Sequence, residues 1–362
     1  MPLASAAPPL ALRAASHDRR EGGAWTPWQA AKNHILYVAV RALLLVLRPL
    51  PASWLRALGA CLGRALYRVG GSPRRVALAN LERAYPGLSL VERRALAWRA
   101  YAQLGSYLGD TVAQLLGPAR FVPLSFEEGS RQVLEDAVAR GAGVIFVSAH
   151  LGPWERVAGS LVRHGFPLTT LARESYDPRF IRLYDRLRAS VGVRSVYRGG
   201  ASAALAVVRT LRRGGVLGVP MDLRSRVPSV QVPFLGVLAP TPVGPARIAL
   251  RTGASVVVGT AVPVRRGAQG MPSVRPAEPD LVLRVTRIET TDLLADPAGE
   301  QQLTRRLNDA ISSRIRDFPE GWVWMHPRFE PTPAENSAPS SRQNRYTSAQ
   351  TAGEVRRGTG LA

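Results

Sequence analysis

The sequence predicts an α/β fold, a mixed sheet flanked by helices, preceded by an N-terminal helical region suited to a membrane surface. Three observations predict it. Between about 130 and 290, short β-branched apolar runs alternate with longer segments whose apolar residues recur at helical spacing, as strands covered by helices do. Residues 34–47 form the most apolar stretch of the chain, followed at once by a second helical pattern carrying arginines. Hydrophobic residues make up 46% of 362, enough to bury a sizeable core.

The elements follow in order. Residues 1–24 are rich in Ala, Pro and Arg, and residues 331–362 in Ser, Thr, Asn, Gly and Arg; both are expected to be disordered. The start lacks a basic segment followed by a proline-free apolar run, so no signal peptide is expected. The stretch from His34 to Leu47 is 14 residues long, contains Arg41 and is stopped by Pro49 and Pro51. A spanning helix needs about 20 apolar residues, so an interfacial or half-inserted helix is expected, with a buried soluble helix as the alternative. Trp54 to Val69 is read as a basic amphipathic helix bearing Arg56, Arg64 and Arg68, suited to an anionic membrane surface. Further helices fill 74–117, which gives a helical membrane-associated region over 25–117 and an α/β domain over 118–330.

In that second region, helices are expected at 131–140, 153–164, 178–190, 201–213 and 245–252. Strands are expected at 144–147, 167–172, 193–197, 216–219, 255–262 and 281–285. Residues 228–245 hold five prolines and are expected to be an irregular apolar loop, either walling a pocket or covering the core. Trp322, Val323, Trp324 and His326 are read as a buried closing strand, with interface aromatics as the alternative.

The net charge is +22, from 48 basic and 26 acidic residues, and Lys32 is the only lysine. Such a field favours anionic partners: nucleic acid, anionic lipid or an acidic carrier protein. The arginine preference itself has a second explanation in GC-rich codon usage. Cys61, the single cysteine, excludes an internal disulfide and reads as a core thiol in an apolar helix. There is no H-E-x-x-H, no paired cysteine, no P-loop and no G-x-G-x-x-G, so neither a metal nor a nucleotide cofactor is expected.

The chemistry concentrates in Gly143-Val-Ile-Phe-Val-Ser-Ala-His150-Leu-Gly-Pro-Trp-Glu155. A buried strand ends at a histidine, a Gly-Pro turn follows, and Glu155 falls in the first turn of the next helix. In open α/β sheets ligands bind at that edge. A carboxylate there can hold one imidazole nitrogen and leave the other to take a proton. The bland reading is a structural histidine at a strand end.

Six ordered blocks resemble the bacterial lipid A late acyltransferases of the lysophospholipid acyltransferase superfamily, whose signature is H-x4-D/E. They are Ser148 to Glu155; Arg173 to Pro178; Arg186-Leu-Arg188; Pro220-Met-Asp222, with one residue inserted in the family's Pro-Asp; Val232 to Gly236 with Ala239-Pro-Thr241; and Pro319 to Arg328. Asn80 to Pro86 is similar to an N-terminal family segment or is simply a helix ending at proline. The resemblance covers roughly 30–330 and implies a glycerolipid acyltransferase-like fold. It implies His150 as general base with Glu155 orienting its ring, and Arg173, Arg186 and Asp222 as substrate-binding residues. The expected reaction moves a fatty acyl chain from an acyl carrier protein or CoA thioester to a hydroxyl of a lipid A precursor or related glycolipid. No bound cofactor is implied beyond that co-substrate. The expected partners are the acyl carrier protein, the lipid acceptor and an anionic membrane surface, at the cytoplasmic face of the inner membrane. Other acceptors, such as a lysophospholipid or an amino-acid lipid, fit the same motif. A lipid hydrolase, a non-catalytic membrane scaffold and a nucleic-acid-binding protein are the rivals. The last predicts basic residues clustered with aromatics on a known module, and none is evident.

Overall fold

A computed structural model describes residues 24–173, 175–198, 202–225, 227–264 and 280–329. The termini expected to be disordered lie outside them, Ala24 aside. Four helices open the chain: α1 (Pro27–Leu47), α2 (Ala52–Val69), α3 (Ser72–Ala84) and α4 (Leu90–Leu116).

Helix α1 begins seven residues before the apolar stretch. Thr26 forms a capping box with Gln29, and Pro27 occupies the first turn, where a missing N–H costs nothing. The resulting 21-residue helix is long and apolar enough to cross a membrane by length and composition. Only Asn33 of it is buried, which excludes the buried-helix alternative. The residues leading into it and its N-terminal half meet the start of a later helix: Trp25 stacks on Tyr176 at 5.6 Å, and the Arg179 guanidinium lies 5.0 Å from the Tyr37 ring centre.

Helix α2 is built inside out relative to a soluble helix. Its inward face is Leu55, Gly59 and Gly63, while Trp54, Leu58, Leu62, Leu66 and Val69 are exposed. The inward glycines lie against Gly105 and Gly109 of α4. A Cβ added at Gly59 would fall 2.0 Å from the Gly105 carbonyl oxygen, so backbone meets backbone there. Cys61 is exposed on this helix, not a core thiol as expected; the core side of α2 is too close to its partner to hold one.

The rest of the chain forms β1 (Ser125–Phe126), α5 (Ser130–Ala139), β2 (Val144–Ser148), α6 (Trp154–Arg163), β3 (Leu168–Ala172), α7 (Pro178–Ala189), β4 (Arg194–Tyr197), α8 (Ala203–Arg212) and β5 (Val216–Pro220). Then come β6 (Ser229–Phe234), β7 (Val237–Pro242), α9 (Gly244–Thr252), β8 (Ser255–Pro263), β9 (Leu281–Ile288) and α10 (Gly299–Asp317). Seven strands make one mixed sheet in the order β1-β9-β8-β2-β5-β3-β4. Strands β8, β2, β5, β3 and β4 run parallel, and β9 is antiparallel to β8. Period-two alternation sorts β2 between two cores. Ile145 and Val147 join the cluster with α4 and α10, while Val144 and Phe146 join the one with α5 and α6. The first of these clusters also takes in Ala77, Leu81 and Leu96, so the leading helices and the sheet share buried surface.

Three segments depart from expectation. Residues 229–242 are not an irregular loop but an antiparallel hairpin, with Pro233, Pro240 and Pro242 inside its strands. A two-stranded ribbon has edges on both sides, where a missing N–H is tolerated. Its turn uses Leu235 at φ 52 and Gly236 at φ 89; the strained leucine is buried and its N–H donates 2.9 Å to Ser312 Oγ. Helix α10 carries Leu303, Leu307, Ile311 and Ile315 at every fourth position, a pattern legible in the sequence but unassigned above. Trp322 and Trp324 are buried as expected, though by one antiparallel bridge from Trp322 to Leu151 and a turn, not by a strand.

Candidate active site

Strands β2 and β5 are parallel neighbours with Ser148 opposite Pro220. Two residues beyond these ends stand His150 and Asp222, and the equal overhang sets them side by side. The His150 backbone N–H donates to Asp222 Oδ2 at 2.9 Å, and its ring Nδ1 lies 2.9 Å from Oδ1. The Trp322 indole N–H donates to Oδ2 at 2.8 Å. Gly152, at φ 67, turns the chain into α6 and donates its N–H to the Gly321 carbonyl at 2.9 Å, fastening the Trp322 segment to the same loop.

Asp222 is fully buried. Burial pushes its carboxyl up, but the charge and hydrogen bonds of His150 and the Trp322 donor outweigh that and hold it below the usual range. For His150, burial pushes the ring down, while the charge and hydrogen bond of Asp222, with the charge of Glu155, carry it above its ordinary value. An ionised carboxylate only accepts, so Nδ1 carries a hydrogen and Nε2 is the nitrogen left to take up or release a proton. The Trp154 ring stands edge-on to the imidazole at 5.1 Å.

The carboxylate against the His150 ring is thus Asp222, expected above to bind substrate but buried away from the cavity lining, and not Glu155. Glu155 lies in the first turn of α6, 8% exposed, and is engaged by Arg188 through Nε at 3.0 Å and Nη2 at 2.7 Å. Arg188 also donates to Ser195 Oγ at 3.2 Å. Arg186, expected to bind substrate, is exposed and does not line the cavity. Two positions on a helix are about 200° apart, so only one of Arg186 and Arg188 can face Glu155. Arg173, just beyond β3, does reach the cavity wall.

The cavity holds about 670 Å³ and its lining includes His150, Trp154, Glu155, Tyr184 and Arg188. Arg173, Arg198, Arg224 and His326 also line it. Arg198 is only 3.5 Å from Ser225 Oγ, and burial together with the charge of Arg173 lowers its pKa. A second, mostly apolar groove of about 410 Å³ runs between α2 and α4. It includes Leu62, Leu66, Leu104 and Leu108 and shares Trp154, Glu155 and Tyr184 with the cavity.

Comparison with known proteins places the sequence in a family. The profile of the bacterial lipid A biosynthesis acyltransferases matches residues 29–330. The chain belongs to that family. It is also similar to a phosphatidylinositol mannoside acyltransferase of Mycolicibacterium smegmatis, 26% identical over 200 residues, or 54% of this chain and 60% of the relative. The matched part therefore spans less than two thirds of the relative's length.

Some residues of this family member's site escaped sequence reasoning. Trp322 and His326 fall in the last of the resembling segments, but nothing in their spacing ties them to the site. Arg188 was passed over for Arg186, and Arg198 and Arg224 carry no local motif. Asn80, in the segment left between two readings, is buried and donates through Nδ2 to the carbonyls of Trp324 and His326, both at 2.8 Å.

Proposed function

We propose that this chain is a membrane-associated O-acyltransferase that moves a fatty acyl chain from an acyl carrier protein or CoA thioester to a hydroxyl of a phosphorylated glycolipid. The observation that carries this reading is the His150 ring locked through Nδ1 to buried, ionised Asp222, with Nε2 left as a base at a large cavity. In the reaction, Nε2 takes the acceptor's hydroxyl proton as the oxygen attacks the thioester carbonyl carbon. The tetrahedral oxyanion then collapses, the C–S bond breaks, and the thiolate takes the proton back from the imidazolium. Asp222 stabilises the imidazolium, the part a triad carboxylate plays. No covalent enzyme intermediate is required, because the thioester is already activated.

Arg173, Arg198 and Arg224 suit the phosphate of the acceptor headgroup or of a phosphopantetheine donor, since guanidinium matches phosphate oxygens. The apolar groove suits a lipid chain entering from the exposed face of α2. That face, α1 and the charge of +22 support attachment to an anionic membrane, read here as the cytoplasmic face of the inner membrane. Family membership favours a lipid A precursor as acceptor; similarity to the mycobacterial acyltransferase favours a mannosylated phosphoinositide.

The test is acyl transfer by purified protein in detergent, with labelled acyl carrier protein and acyl-CoA crossed against both glycolipids and a lysophospholipid. His150→Ala serves as control. Product lost in His150→Ala supports the reading and names donor and acceptor. Undiminished transfer by His150→Ala overturns it.

A further inference from the structure

We propose that His326 is the hydrogen-bond donor to the thioester carbonyl oxygen as that oxygen becomes an oxyanion. The inference rests on the acyl-transfer reading of the cavity and adds to it a group that the reaction needs. Attack on a thioester places negative charge on an oxygen, and a preorganised donor at that point is among the largest contributions a site can make. His150 cannot provide it: its Nδ1–H is committed to Asp222 and its Nε2 takes the alcohol's proton.

His326 lines the same cavity as His150. Its ring Nδ1 is buried and has no hydrogen-bond partner among the described residues, so the nitrogen that can offer an N–H to a substrate in the cavity is Nε2. Its backbone is fixed on two sides. The N–H donates 3.1 Å to the Val323 carbonyl, and the carbonyl accepts 2.8 Å from Asn80 of α3. The segment that carries it is the one whose Trp322 backs Asp222, so base, carboxylate and second histidine are held by a single packed unit.

The two imidazoles are driven apart in basicity. His150 is raised, whereas burial, with the neighbouring charges of His150 and Arg328, lowers His326 despite the pull of Asp222. Two like groups pushed in opposite directions mark different roles. A neutral imidazole at working pH donates one N–H, brings no charge that would compete for Asp222, and loses no proton in the step. The oxyanion accepts its hydrogen bond, and when the C–S bond breaks the carbonyl re-forms and that bond weakens again.

The experiment compares His326→Ala, His326→Gln and His150→Ala in the full chain, with palmitoyl-CoA as donor and the acceptor found active in the panel above. The expected result is a fall in kcat of about 10²–10³-fold in His326→Ala with the donor KM changed less than about threefold. His326→Gln, which keeps an N–H donor, is expected to recover at least about tenfold of that loss. The acid limb of the pH–rate profile, set by His150, is expected to stay in place in both. His326→Ala within about threefold of the native kcat overturns the proposal, as does a loss confined to KM. A His326→Gln variant as slow as His326→Ala, with native melting temperature, overturns it too. A silent His326 beside an inactive His150→Ala removes this inference alone; an active His150→Ala removes the underlying reading.

Discussion

The indole N–H of Trp322 lies 2.8 Å from Oδ2 of Asp222, a residue one hundred positions earlier in the chain. With the His150 backbone and ring it completes three donors around one buried carboxylate. The basicity of His150 is therefore set by groups from three parts of the sequence, and it can be adjusted from any of them.

Replacing Asp222 with Asn removes the charge that favours imidazolium and the acceptor that fixes the tautomer. The rate is expected to fall by about 10²–10⁴-fold. Since Asp222 raises the His150 pKa, its loss moves the acid limb of kcat/KM to lower pH. A pH–rate profile of Asp222→Asn against the native protein checks both; an unmoved acid limb would disprove the pairing.

Stability should carry the same signature. Asp222 is held below its unfolded value, so its contribution is present above about pH 3.9 and is lost as pH falls through the folded value. His150 is held above its unfolded value, so its contribution is present below about pH 6.5 and is lost as pH rises through the folded value. The pair contributes most between those limits. Melting temperature against pH is expected to decline above neutrality in the native protein and to decline less in His150→Gln.

Arg188 and Arg186 offer a paired test on one helix. Arg188→Ala leaves Glu155 buried without its cation and should destabilise by about 3–5 kcal/mol, with loss of transfer. Arg186→Ala removes an exposed side chain and should stay within about 0.5 kcal/mol. Denaturant titration of both variants distinguishes them; equal effects would contradict the Arg188–Glu155 geometry.

At the α2–α4 seam, Gly59→Ala forces a methyl against the Gly105 carbonyl. A destabilisation of at least about 1–3 kcal/mol is expected. On the outer face, replacing Leu58, Leu62 and Leu66 together with Gln should leave folding intact and weaken flotation with anionic vesicles. Unchanged flotation would remove α2 from the membrane contact.

Much of the fold was legible because its strands are short, apolar and bounded by glycine. The ends of β2 and β5, and so the positions of His150 and Asp222, follow from that pattern alone. Their pairing does not, since strand order is a tertiary fact and Glu155 was nearer in sequence. The hairpin at 229–242 was hidden by its prolines and by a leucine in a left-handed turn. The role of Asn80 was hidden because its partners are backbone carbonyls over 240 residues away, which leave no trace in side-chain type. The outward face of α2 was legible as apolar, but only its glycines, set against those of α4, say which side is inside.

The shared overhang beyond Ser148 and Pro220 makes the site sensitive to length in a way it is not sensitive to chemistry. A residue inserted at Ala149 or Met221 would turn the following side chain to the opposite side of its strand and separate the imidazole from its carboxylate, whatever residue was added. Substitutions at these two positions only have to fit. Among relatives, then, the positions of Ala149 and Met221 should drift in composition within the limits of fit, while insertions and deletions gather in the connections between elements.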